Sequence, residues 1–208
     1  MKGISHAVIG AAVGYGVAAL SDVNATETII LLGAGSLSAL IPDLDTNGKL
    51  TNHMTMPFRF LKFLVFMTGV FLLYITWFQH NGLDHITGSV IGVSLILISQ
   101  RVNQRLMLSI TGVGVVIAGV FLVNLWMIMF GIYIFVASFL SHRTYTHSIV
   151  GLVYFSYVAF LFAGDMGIPA LFPTTILGYI SHLLADTKFI PTNKQGVKLL
   201  LPFTKRSF

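Results

Sequence analysis

Residues 106–140, LMLSITGVGVVIAGVFLV-N-LWMIMFGIYIFVASFL, decide how this chain is built. At about 1.5 Å per residue, roughly 20 apolar residues cross a bilayer core. The stretch therefore reads either as one long kinked helix or as two helices joined tightly at Val123-Asn124-Leu125. The two readings place everything after it on opposite sides of a membrane.

The rest of the chain selects between them. Of its 208 residues, 55% are hydrophobic and 9% charged. An ordinary soluble domain carries about 25% charged residues, so a water-soluble globule is excluded. Apolar runs give eight candidate spans: Gly3–Leu20, Thr26–Ile41, Phe60–Phe78, His85–Ser99, Leu106–Val123, Leu125–Leu140, Ser148–Ala163 and Pro169–Asp186. The second, fourth and sixth are the short ones. Lys2 ahead of an apolar run ending Val17-Ala18-Ala19 faintly resembles a signal peptide. A single charge and His6 within the run favour a retained span.

Numbering the gaps alternately from an inside N-terminus puts all 12 Lys and Arg residues inside. Asp22, Glu27, Asp84 and Asp165 fall outside with no cation. Fusing spans five and six would move Arg143 and the five C-terminal cations from the inside to the outside. The positive-inside rule thus predicts an all-α, polytopic membrane bundle of about eight helices with both termini cytoplasmic. The net charge of +5 reflects that rule rather than a nucleic-acid partner. The lipid bilayer is the expected partner. No cysteine is present, which excludes disulfides, thiolate metal sites and cysteine nucleophiles. Gly10, Gly14, Gly112, Gly114 and Gly119 are expected to mark close helix packing.

Four polar clusters converge on the inside ends of the predicted helices: His6; Pro42-Asp43-Leu44-Asp45; His142-Arg143-Thr144-Tyr145-Thr146-His147-Ser148; and Ser181-His182-Leu183-Leu184-Ala185-Asp186. His182 and Asp186, spaced i, i+4, project from one helix side. They are placed to ligate one metal, or Asp186 to orient the imidazole. Asp43 and Asp45 sit at a helix C-terminus, where the macrodipole disfavours anions and a divalent cation would compensate them. His142 and His147 flank a short loop. His6 joins the ligand candidates by its place on the same face, and His53 is a weaker one. Arg143 suits an anionic substrate oxygen or a simple membrane anchor, and Ser148 a helix cap. His80 and His85 fall at the opposite interface.

A donor set of imidazoles and carboxylates suits zinc first, with manganese or iron as alternatives. More than four candidate ligands leaves room for two ions and for phosphate-ester hydrolysis. Asp43 or Asp45 would act as general base if not a ligand.

These segments together, with Thr187 to Pro202 behind them, resemble a bacterial family of LexA-regulated, inner-membrane, metal-dependent hydrolases (YdjM-like). The resemblance covers about residues 1–55 and 138–204 of a single integral-membrane domain, with helices inserted over about 60–137. A fainter similarity leads to zinc-dependent phospholipase C enzymes. By that similarity His6, Asp43 or Asp45, His142, His147, His182 and Asp186 are metal ligands; on the residues themselves both aspartates are ligand candidates, and Asp45 and Arg143 are the candidate catalytic residues. The substrate implied is a phosphate ester or phospholipid-like molecule at the cytoplasmic face. Two other classes remain open on the sequence. One is a transporter or metal-handling protein, whose site would lie nearer the bilayer midplane. The other is a structural, holin-like membrane protein, which would tolerate alanine at His182 and Asp186.

Overall fold

The computed structural model describes residues 3–45, 58–79, 83–189 and 195–208. Among these the chain forms eight α-helices and two short 3-10 turns, with no strand. The helices are α1 (Gly3–Leu20), α2 (Ala25–Ser38), α3 (Phe58–Gln79), α4 (Leu83–Ser99), α5 (Gln104–Phe121), α6 (Leu125–Ala137), α7 (Ile149–Met166) and α8 (Leu171–Ala185). The 3-10 turns are Ile41–Asp45 and Tyr145–His147.

Five segments are long and apolar enough to cross a membrane: α1, α2 continued through Asp45, α3, α5 and α7. The shorter apolar helices are α4, α6 and α8. The second predicted span is thus longer than the sequence suggests, because the 3-10 turn extends it, and the helix in the eighth predicted span, α8, is shorter than expected.

The joint at Val123-Asn124-Leu125 is a reversal between two helices. Val123 takes a left-handed backbone (φ 52°). The Asn124 carboxamide caps α6 by accepting from the Met127 N–H at 3.3 Å. Its NH2 donates to Asp165 at 3.1 Å, and the Trp126 indole donates to the same carboxylate oxygen at 3.0 Å. Asn24 and Glu27 form a reciprocal capping box at the start of α2. Asn103 caps α5, and Ser148 caps α7 through Gly151 N–H.

Small residues set the packing. The α1–α2 hairpin closes where Gly10 meets the backbone of Gly35 and Gly14 that of Leu31. Gly112 meets Gly131 and Phe135 across α5–α6, and Gly119 meets Ile128. Gly114 departs from expectation: a Cβ there has no neighbour within 4 Å, because it lies off the stripe that Gly112 and Gly119 share. Gly178 brings α8 against Gly35 and Ser38. Helix α8 thus packs on α1, α2 and α7, whereas α3 and α4 pack chiefly on each other. Large apolar side chains such as Phe71, Trp77 and Phe160 point outward, as lipid-facing residues do.

A side chain at Gly10 would run into the Gly35 backbone and the Ala39 Cβ, neither of which can swing aside. Gly10→Leu is therefore expected to force α1 from α2, at the ~1–3 kcal/mol typical of overpacking or more. Gly16→Leu, with open space at its Cβ, is the control. Thermal unfolding in detergent separates the two; equal midpoints would contradict the packing account.

Candidate metal centre

Hairpin geometry brings one end of five helices together: the start of α1, the 3-10 turn after α2, the α6–α7 loop, the start of α7 and the end of α8. His6, Asp45, His147, His182 and Asp186 are buried there, each no more than 4% exposed. In so apolar a chain, five buried ionisable groups at one place require compensating partners.

The end of α8 supplies His182, whose Nδ1 lies 2.6 Å from the Ala39 carbonyl oxygen. A carbonyl only accepts, so Nδ1 carries the proton and Nε2 is left with its lone pair facing the cluster. His147 is oriented by a relay. Thr146 Oγ1 donates to Asp45 Oδ2 at 2.5 Å, and therefore accepts from His147 Nδ1 at 3.0 Å. The Nε2 atom of His147 then points at His182 Nε2, 3.2 Å away. Asp43 Oδ1 stands 3.5 Å from each of those nitrogens. Asp186 Oδ2 lies 4.0 and 3.9 Å from the same two nitrogens.

Those distances permit a fit test. Metal–ligand bonds of about 2.0–2.1 Å place neighbouring ligands of a tetrahedral zinc about 3.3–3.4 Å apart. The three edges 3.2, 3.5 and 3.5 Å match one face of such a tetrahedron, with Asp186 Oδ2 slightly farther out. The donor set fits a divalent ion.

Three candidate ligand groups exist among the described residues: His6, His182 and Asp186; Asp43, His147 and His182; Asp45, His142 and His147. His147 and His182 each belong to two, so the groups form one connected centre. The third group has a different character. His142 Nδ1 is 2.9 Å from Asp45 Oδ1, a hydrogen bond rather than a ligand edge. A metal there would also need His147 Nδ1, already bound to Thr146. His6 stacks on His182 with ring centroids 4.0 Å apart, and its Nε2 lies 3.4 Å from Asp186 Oδ1. Its Nδ1 is buried with no hydrogen-bond partner.

The field around the centre is set by these pairs. Burial alone would lower the His147 pKa, but hydrogen bonds with Asp43 and Asp45 outweigh it and raise the pKa to about 9. Burial would raise the Asp186 pKa; the His6 hydrogen bond and the His182 and Arg143 charges instead hold it below the usual carboxylate range. Arg143 has a left-handed backbone (φ 61°), uncommon for a residue with a side chain. The guanidinium reaches Asp186 Oδ2 at 3.3 Å and Gln195 Oε1 at 3.2 Å. Asp43, Arg143 and His142 are the more open members, with side chains 24%, 18% and 39% exposed.

Residues 1–208 match the YdjM inner membrane protein family. The chain belongs to that family. No curated protein and no solved structure matches it significantly. The YdjM family and the five membrane-length helices make this a multi-pass protein of the cell membrane, and the family match runs through α3 to α6 as well.

All eight residues singled out in the sequence, His6, Asp43, Asp45, His142, Arg143, His147, His182 and Asp186, stand in this one cluster of the YdjM-family chain. His53 and His80 lie outside the described residues. His85 packs on Trp77, ring centroids 5.3 Å apart, in the α3–α4 hairpin away from the cluster. Sequence reasoning missed Thr146, Gln195, the Ala39 carbonyl and Tyr179, whose hydroxyl donates to the Thr146 carbonyl. Thr146 lay inside the quoted motif. The Ala39 carbonyl carries no side-chain signal at all.

Proposed function

We propose that this YdjM-family protein is a metal-dependent hydrolase acting on a phosphate ester at the cytoplasmic membrane face, with eight spans and both termini inside. The observation that carries the reading is the triangle of His147 Nε2, His182 Nε2 and Asp43 Oδ1, sized for a divalent ion and set beside a guanidinium. Asp186 completes the set and His6 supports it. Zinc suits the donors first, manganese or iron next. A bound divalent ion supplies Lewis acidity and an activated water.

The chain's own residues do the rest. Arg143 holds anionic oxygens of the substrate, and Asp186 and Gln195 fix its fork. Both oxygens of Asp45 are occupied, by His142 and Thr146, which argues against Asp45 as the base. The more exposed His142, oriented by Asp45, is the better proton carrier. Asp45 is then a positioning residue for both His142 and His147, rather than a ligand.

The test is turnover of phosphate mono- and diesters by detergent-purified protein, stripped with chelator and then reloaded with zinc or manganese. Activity should vanish on stripping and return on loading. Arg143→Ala should lower kcat/KM by about 10- to 150-fold, the equivalent of a charged hydrogen bond worth ~1.5–3 kcal/mol, without changing metal content. Tight metal binding with no phosphate ester turned over would overturn the hydrolase reading and leave a metal-handling protein.

A further inference from the structure

A groove of about 420 Å³ opens between α2, α6, α7 and α8. Its far end lies at Trp126 and Leu171, and its near end at Ser38, Ile41 and Phe155. We propose that this groove seats one acyl chain of a phosphate-bearing membrane lipid whose headgroup lies at the metal centre. The inference rests on the hydrolase reading and names its substrate class.

Three observations select this occupant. The first is chemistry. The hydroxyls lining the groove belong to Ser38 and Thr175, and both are already satisfied by their own helices, through Ala34 and Leu171 carbonyls at 2.7 and 2.8 Å. Nothing in the groove asks for a polar group, so its occupant is hydrocarbon. The second is size. An apolar cavity of about 150 Å³ takes a benzene, so 420 Å³ matches a long chain rather than a small molecule. Ile30 and Ile41 line it about 16 Å apart at ~1.5 Å per residue, close to half of a ~30 Å hydrocarbon core and thus one leaflet's chain.

The third is continuity. Ile41 stands in the same 3-10 turn as Asp43, two residues away. Phe155 stacks on Tyr179, centroids 5.0 Å apart, and the Tyr179 hydroxyl holds the Thr146 carbonyl beside His147. A chain lying in the groove therefore ends next to the residues that face the metal and Arg143. A water-soluble phosphate ester would use the headgroup end and leave the groove unused.

The test uses the full chain in maltoside micelles, with a phosphatidic acid whose acyl chain ends in a photoreactive diazirine. The comparison probe is the matching diacylglycerol, which lacks the phosphate. Labelled peptides are mapped by mass spectrometry. The account expects Trp126, Phe130 and Phe162 to be labelled several-fold more than the outward-facing Phe71 and Tyr74 of α3. It also expects a several-fold drop with the diacylglycerol probe and in Arg143→Ala. Gly33 lines the groove with open space at its Cβ, so Gly33→Phe blocks it without a clash. That variant should lose the groove label, whereas Gly164→Phe, open but outside the groove, should keep it.

Even labelling of groove and α3 would overturn the proposal. So would equal labelling by both probes, or cross-links joining two copies through the groove. The readout is independent of turnover. Groove labelling without phosphate-ester cleavage would retire the hydrolase reading and keep the lipid site; cleavage of soluble esters without groove labelling would do the reverse.

Discussion

Asp45→Ala is expected to lower the unfolding free energy of the metal-free protein by about 3–5 kcal/mol, the usual cost of removing one partner of a buried ion pair. The Asp45 side chain is wholly buried; its Oδ2 accepts from Thr146 and stands 3.5 Å from Nδ1 of the equally buried His147, the ion-pair partner, while its Oδ1 bonds the more open His142. Its loss leaves the Thr146 hydroxyl proton without its acceptor, breaks the relay that aims His147, and removes the anion opposite His142. Asp45→Asn keeps the shape and one acceptor, so it should cost less. Because the relay fixes which His147 nitrogen faces the centre, both variants should also weaken metal binding by about 10- to 100-fold, as loss of an outer-shell partner typically does. Denaturant unfolding in detergent and competitive metal titration report the two effects. Parent-like stability and affinity in Asp45→Ala would contradict the positioning role.

The second large effect is on pH. In the metal-free protein the His147 pKa is raised to about 9 from an ordinary 6.5. The sign for stability follows: this group's contribution is fully present below pH 6.5 and is lost as pH rises through 9. Metal binding reverses the sign, since an ion at Nε2 must displace that proton. Apparent affinity should therefore rise about tenfold per pH unit below pH 9, one proton being released per ion from this group. Over pH 6.5 to 9 the rising affinity cancels the falling stability for this group, so the melting temperature of the metal-free protein should fall while that of the metal-saturated protein stays flat. A pH-independent affinity over that range would show that His147 is not a ligand.

The fold was legible where its physics is local. Uninterrupted apolar runs and one-sided Lys and Arg placement give the helices and their order, and they choose the reversal at Asn124 over a kink. Helix ends were less legible. The second span looked short because Pro42 and two aspartates break the apolar run, yet the chain continues there as a 3-10 turn whose Leu44 is fully buried. Gly114 looked like its neighbours Gly112 and Gly119, but which face a glycine occupies depends on the partner helix.

For the centre, convergence followed from topology: four clusters at the same ends of antiparallel helices must meet. The partition of roles did not. His142 and His147 are five residues apart in one loop, yet one lies fully buried beside Asp43 and the other is the most open side chain of the cluster. Only the left-handed turn at Arg143 and the Thr146 bridge to Asp45 separate them. Neither is encoded in spacing. The groove was invisible for a similar reason, since its lining residues come from four helices and read singly as ordinary span residues.

The central claim, a divalent metal at the meeting point of α1, α2, α7 and α8, is tested most directly by elemental analysis. The samples are the detergent-purified parent, His182→Ala and Asp186→Ala, each checked for folding by its thermal transition. The account predicts near-stoichiometric zinc, manganese or iron in the parent and loss of that metal in both variants. No bound metal in a folded parent supplied with those ions, or equal metal in all three samples, would contradict it.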